Sequence, residues 1–168
     1  MRYKELVRML SKYFKKRRLQ IFAPLKGEVL SLDQVPDPVF SKKMMGEGVA
    51  ILPKEGGVHA PFEGIIILVA ESKHAIGIRA KDGTEVLIHV GLETVSLKGE
   101  GFQVLVKKGE AVSSGQLLME VDWKAIGEKA KSVITPIVIT NSENREIEIT
   151  HVNESNIGET VLMYVGPK

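Results

Sequence analysis

Cysteine is absent from this chain, which excludes a disulfide framework, a thiolate zinc cage and a cysteine nucleophile. The same absence fits a reducing, cytoplasmic setting. Aromatic residues make up only 5% of the sequence. Together with 16 glycines and many short Val/Ile/Leu runs, that scarcity favours an all-β globule over a helical bundle. No apolar run approaches the roughly 20 residues that would span a bilayer. There is no P-loop, no glycine-rich nucleotide fingerprint and no acidic magnesium cluster, so ATP lacks a cradle. The His-x-His pair and His-x-x-x-Asp motif of a zinc peptidase are missing as well, which argues against intrinsic zinc catalysis.

What is present is unevenly charged. Residues 1–18 carry eight Lys/Arg against the single acid Glu5, whereas the remainder holds 15 basic and 20 acidic residues. A mildly acidic domain therefore wears a basic extension, and nucleic acid is a poor partner because the domain would repel phosphates. Within the extension, Tyr3, Leu6, Val7, Met9, Leu10, Tyr13 and Phe14 fall on one side of a helix. Charges interrupt any signal-peptide core, and no small-residue cleavage site follows. The pattern predicts a short amphipathic helix over residues 1–19, ahead of a domain over 20–168. Its expected role is to lie on an anionic membrane surface through Leu6, Met9, Leu10, Tyr13, Phe14, Lys15, Lys16, Arg17 and Arg18. Each basic residue would add about 1 kcal/mol there. A solvated or core-docked terminal helix is the plain alternative.

From Gln20 onward the punctuation is that of strands. Ala23-Pro24-Leu25-Lys26-Gly27-Glu28-Val29 is echoed by Ala60-Pro61-Phe62-Glu63-Gly64-Ile65-Ile66, and more faintly by Thr135-Pro136-Ile137-Val138-Ile139. Each copy reads as a corner entering a strand, with Pro barring ladder pairing and Gly allowing a bend. Gly109-Glu-Ala-Val112 and Gly158-Glu-Thr-Val161 form a second echo. These modules resemble the hammerhead turns of biotinyl and lipoyl domains, but no Met-Lys stands at such a turn, so a carrier lysine is disfavoured. The expected architecture is an antiparallel β-sandwich or partly closed barrel. A further helix is predicted over 122–132, with Asp122 as its N-cap.

Four histidines are available, and His59 and His151 have ordinary surroundings. His89 sits inside the apolar run Gly83-Thr-Glu-Val-Leu-Ile-His89-Val-Gly91-Leu-Glu-Thr94-Val95. His74 lies fifteen residues upstream, across Asp82-Gly83, a dipeptide suited to a hairpin turn because both residues tolerate positive φ. The hairpin would bring the two imidazoles onto adjoining strands. Strand alternation puts Val86, Ile88 and Val90 on one face and Leu87, His89 and Gly91 on the other. With the first face in the core, His89 would look out from an apolar rim, and Gly91 would leave space above it. A shallow depression around a nucleophile suits a macromolecular donor.

Residues 83–95 resemble the signature of the glucose-type IIA components of the bacterial phosphoenolpyruvate-dependent sugar phosphotransferase system. In that pattern a glycine precedes three aliphatics, the phosphorylated histidine, an aliphatic, Gly and a downstream Thr. The resemblance continues through Ile21-Phe-Ala-Pro-Leu-Lys-Gly27, Val35-Pro-Asp-Pro-Val-Phe40, Met45-Gly-Glu-Gly-Val-Ala-Ile51 and Leu97-Lys-Gly-Glu-Gly-Phe102. It implies that His89 accepts phosphoryl at Nε2 from phospho-HPr and passes it to a cysteine of a IIB domain. His74 would stabilise the phosphoryl group, and Ser72, where the family often has Thr, would hydrogen-bond a histidine and fix its tautomer. Phe40 matches a rim aromatic of the partner face; Ala70 and Leu87 replace two further rim Phe, and Val90 and Gly91 complete that face. The resemblance also implies that His74 and His89 could bind zinc, adventitiously or with a carboxylate from a partner, and that regulatory proteins could dock on the same apolar face. A stand-alone cytoplasmic phosphocarrier is the expectation, held at the membrane by its basic helix.

Overall fold

The computed structural model describes residues 2–16 and 18–168. Helix α1 (Tyr3–Lys16) opens the chain, and every residue from Tyr3 to Lys12 is exposed. Among the described side chains of the helix, Leu6, Val7, Met9 and Leu10 form an uncovered apolar stripe. Among the described residues no helix is long and apolar enough to cross a membrane.

Strands β1 (Leu19–Phe22) and β2 (Lys26–Ser31) follow, then the short helix α2 (Pro38–Ser41) and β3 (Glu47–Glu55). Next come β4 (Val58–His59), β5 (Gly64–Val69), β6 (Ala75–Ala80) and β7 (Glu85–His89). The strands β8 (Phe102–Val104), β9 (Ala111–Val112) and β10 (Leu117–Val121) lead into helix α3 (Trp123–Lys129). Strands β11 (Thr135–Ile139), β12 (Arg145–Ile149), β13 (Glu154–Ser155) and β14 (Val161–Pro167) complete the order. Among the described residues the largest sheet runs β13-β2-β3-β11-β7-β6-β5-β9, flanked by the sheets β1-β14-β12 and β4-β10-β8. The pairings are antiparallel. The all-β expectation, with one short N-terminal helix, describes the molecule.

Alternation along the central strands explains why both faces of the large sheet are covered. Ile76 and Ile78 of β6, Val86 and Ile88 of β7, and Ile137 and Ile139 of β11 enter the main core between the sheets. Each such fully buried aliphatic contributes about 1.5–3 kcal/mol relative to exposure. The opposite face carries a smaller cluster in which Ala75, Leu87 and Val138 meet Phe40, Leu32 and Val35. This second cluster is the floor on which His89 rests.

Local signals were realised with some differences. The β6–β7 connection is a tight turn over residues 81–84, with Gly83 N–H donating to the Ala80 carbonyl at 3.0 Å and Ala80 N–H to the Thr84 carbonyl at 2.9 Å. Only Gly83 takes positive φ, at 92°; Asp82 instead accepts from Thr84 N–H through its carboxylate. Gly27 and Gly64 serve close approach rather than bending. A Cβ there would stand 2.1 Å from the Leu52 carbonyl oxygen and 2.3 Å from that of Arg79. Asp122 caps α3 by accepting from Ala125 N–H, but the helix stops at Lys129 rather than continuing to 132.

Candidate phosphoryl-transfer site

His89 ends β7, and His74 immediately precedes β6. The register sets Ala75 opposite His89. One step beyond it, Val90 N–H donates to the His74 carbonyl at 2.7 Å. The hairpin thus carries the two imidazoles to one edge of the sheet, with ring centroids 4.9 Å apart and planes inclined at 73°. Phe40, anchored by α2, lies 5.0 Å from the His89 ring on another side.

The two rings are held differently. Nδ1 of His89 lies 2.8 Å from the Gly91 carbonyl oxygen. A carbonyl can only accept, so the proton belongs on Nδ1 and the lone pair of the neutral ring on Nε2. Burial pushes the His89 pKa below the usual histidine value, against the opposing pull of the Gly91 carbonyl and the Asp37 carboxylate. His74 is also lowered, first by burial and then by the neighbouring His89, with the Ser72 backbone carbonyl opposing. Nδ1 of His74 is buried without a hydrogen-bond partner among the described residues. Two uncharged imidazoles side by side can attack phosphorus and donate to a phosphoryl oxygen without like-charge repulsion.

Beside His89 is a shallow recess of about 270 Å³, lined by Asp37, Val39, Phe40, Met45, His89, Glu93, Thr94 and Val95. A larger cleft of about 810 Å³ opens near Lys81, at the opposite end of β6. It holds neither histidine, whereas His89 lines the smaller recess.

The remaining sequence-predicted residues fall into place unevenly. Ser72 lies in the tight turn before His74, yet no hydrogen bond joins its hydroxyl to either ring among the described residues; its contribution is the backbone carbonyl. Phe40, Leu87, Val90 and Gly91 are buried, and of the four only Phe40 lines the recess. Val90 belongs to the main core, and Ala70 is half-buried beside the second cluster. The exposed apolar rim is instead Val39, Met45 and Val95, which line the recess, with Met44 exposed next to Met45 in the chain. Gly91 does not open space above His89: with φ at 73°, a Cβ on it would stand 2.6 Å from Thr94 Cγ2.

Arg18 also departs from expectation. Its guanidinium pairs with Glu148 and stacks over Tyr164, so it belongs to the body rather than to a lipid-facing surface. Arg17 and the side chains of Tyr13, Phe14, Lys15 and Lys16 lie outside the described residues. His59 faces the Gly57 carbonyl in β4, and His151 is exposed in a loop.

Sequence reasoning missed the parts supplied by backbone and caps. Asp37, which faces His89, accepts from Val39 N–H at 3.0 Å and so caps α2. An Asp followed by Pro at the first helical position is a legible signal for that cap. The Thr94 hydroxyl donates to the Val90 carbonyl at 2.7 Å, bracing the loop after His89.

Residues 19–145 match the family described as phosphoenolpyruvate-dependent sugar phosphotransferase system, EIIA 1. The chain belongs to that family. It is 53% identical over 149 residues to the PTS system glucose-specific EIIA component of Bacillus cereus, covering 88% of this chain and 90% of that protein. Against the PTS system glucose-specific EIICBA component of Staphylococcus carnosus it is 51% identical over 143 residues. That alignment takes in 85% of this chain but only 21% of the larger protein, about a fifth of its length. Among solved structures, glucose permease IIA from Mycoplasma capricolum superposes with a TM-score of 0.83 at 39% identity. It covers 88% of this chain and 96% of that one. As an EIIA domain the chain is a component of a phosphoenolpyruvate-dependent sugar phosphotransferase system, and its antiparallel architecture is that of a IIA domain.

Proposed function

We propose that His89 is the phosphoryl carrier of this EIIA domain, loaded from phospho-HPr and unloaded onto a cysteine of a IIB domain. The observation that carries this reading is the hydrogen bond from His89 Nδ1 to the Gly91 carbonyl, which leaves Nε2 as the nucleophile. In the loading step the Nε2 lone pair forms a bond to phosphorus while the donor's P–N bond breaks and its electron pair returns to the donor imidazole. In the unloading step a thiolate attacks phosphorus and the Nε2–P bond breaks, restoring the neutral ring. Positioning and charge stabilisation carry most of such a transfer. His74, 4.9 Å away between centroids, is suited to donating a hydrogen bond to a phosphoryl oxygen. The rim of Val39, Met44, Met45 and Val95 would seat the protein partners. The same rim supports regulatory docking that phosphorylation switches off by placing charge in an apolar interface.

Intact-mass analysis after incubation with phosphoenolpyruvate, Enzyme I and HPr tests the assignment. One acid-labile addition of about 80 Da is expected on wild type and none on His89→Ala. No addition to wild type with verified phospho-HPr would remove the carrier role for that donor.

Two further assignments attach to this reading. The uncovered apolar stripe and basic residues of α1 support peripheral attachment to an anionic membrane from the cytoplasmic side. The paired imidazoles supply half of a tetrahedral zinc set, and among the described residues no cluster of three or more ligating side chains completes it. Zinc there would need a carboxylate from a partner.

A further inference from the structure

The third copy of the Ala-Pro corner carries a hydroxyl and an extra methyl where the others have alanine. Ala23 and Ala60 precede Pro24 and Pro61, whereas Thr135 precedes Pro136. All three side chains are buried, so the corner itself does not call for a polar group. Thr135 is fully buried, yet its hydroxyl is satisfied twice. It donates to the Val133 carbonyl at 3.0 Å and accepts from Gly91 N–H at 3.3 Å.

The position of that acceptor follows from the register. β11 pairs with β7 as far as Ile137 opposite Ile88. Extending by one step brings Pro136 opposite His89, and proline has no N–H to continue the ladder. The chain after His89 therefore leaves the sheet, and the next side chain of β11 supplies what the ladder no longer does. Gly91 then joins two peptide planes. The first is held by Thr94, which donates to the Val90 carbonyl at 2.7 Å, and by Thr135 on the Gly91 N–H. The second is held by Leu92 N–H on the Ser132 carbonyl at 2.9 Å, and by His89 Nδ1 on the Gly91 carbonyl. Glycine is free to rotate at this junction, so its φ of 73° is set by these partners rather than by its own preference.

We infer that Thr135 is a positioning residue for His89: its hydroxyl orients the Gly91 backbone so that the Gly91 carbonyl keeps the proton on Nδ1 and the lone pair on Nε2. The inference rests on His89 being the phosphoryl acceptor. Among the described residues no hydrogen bond joins Thr135 to either imidazole, and its action runs through Gly91. Without its hydroxyl, the Gly91 N–H loses its acceptor in a buried place and the peptide turns to seek another.

The test compares wild type, Thr135→Val and Thr135→Ser by long-range ¹⁵N–¹H NMR of the imidazole nitrogens, alongside the rate of phosphoryl acceptance from phospho-HPr. Valine keeps the branched shape and removes the hydroxyl. Thr135→Ala, which reproduces the other two corners, serves if valine prevents folding. The expected result is a second His89 tautomer at about a tenth or more of the population and an acceptance rate about tenfold lower, the size of one lost orienting hydrogen bond. Thr135→Ser should restore both. Wild-type nitrogen shifts in the valine or alanine variant would overturn the inference, whatever the change in melting temperature. A tautomer shift with an unchanged rate would overturn it equally. Failure of wild type itself to accept phosphoryl would instead sink the carrier assignment, which the tautomer comparison does not depend on.

Discussion

The imidazoles of His74 and His89 meet edge to face, 4.9 Å between centroids, and both are kept uncharged chiefly by burial. Each folded-state pKa lies below the unfolded value, so the unfolded chain takes up protons first as the solution is acidified. Their contribution to stability is therefore complete above the unfolded value of about 6.5 and is lost as pH falls through the folded values. Urea midpoints measured from about pH 8 down to pH 5 should decline below that point, and decline less in a His74→Gln/His89→Ala double variant. Equal acid sensitivity in the two proteins would contradict the assignment. Phosphoryl acceptance should likewise hold level to below pH 6.5, because the nucleophile remains neutral there.

The pair was legible in the sequence because its position depends on two local rules, strand alternation and the tight turn at Gly83. Alternation sorted Ile88 from His89 correctly, since the period of two is imposed by the pleat. The architecture followed from the repeated corners for the same reason. What the sequence concealed were contacts made by backbone atoms and by strands distant in the chain. The Gly91 carbonyl, the Thr135 hydroxyl and the Asp37 carboxylate reach His89 or its loop only through the fold. The buried state of Phe40 and Leu87 was hidden too, because it depends on the second cluster that α2 lays over the outer face of the sheet. Arg18 looked like one more charge in a basic run, and only the return of β12 and β14 gives it Glu148 and Tyr164.

His74→Gln should separate loading from unloading. Glutamine retains a donor and acceptor of similar reach, but its amide cannot relay a proton as an imidazole can. His89 keeps its own bond to Gly91, so acceptance from phospho-HPr should persist. Onward transfer to the IIB cysteine should slow by about 10²-fold or more, the scale of losing a positioned acid–base group. Single-turnover transfer from phosphorylated protein measures this directly. Normal onward transfer by the variant would remove the assigned role of His74.

Gly91→Ala should damage both the fold and the site. Its φ of 73° disfavours an L side chain, and the new methyl would press 2.6 Å from Thr94 Cγ2 and 3.0 Å from the Ser132 carbonyl oxygen. Left-handed strain of this kind costs on the order of 1–3 kcal/mol. The expected outcome is a lower urea midpoint by that amount, together with slower phosphoryl acceptance as the Gly91 carbonyl moves from Nδ1. An unchanged midpoint would mean that the loop accommodates the methyl, and the tight packing around Gly91 would then not be a constraint.

Deleting residues 2–16 should uncouple membrane attachment from phosphoryl chemistry. The helix leaves Leu6, Val7, Met9 and Leu10 uncovered, and its basic residues stand among those side chains. Apolar insertion and about 1 kcal/mol per basic residue at an anionic surface act together in such a helix. The site, by contrast, is built from α2, β6, β7 and β11, and among the described residues none of α1 joins the clusters beneath it or lines its recess. Co-sedimentation with vesicles containing anionic phospholipid should fall on deletion, and raised salt should weaken the intact protein's binding. Acceptance from phospho-HPr in free solution should be unchanged. If the truncated protein sediments as well as the full chain, the attachment lies elsewhere on the molecule. If it loses phosphoryl acceptance while remaining folded, the helix is part of the partner surface rather than a membrane device.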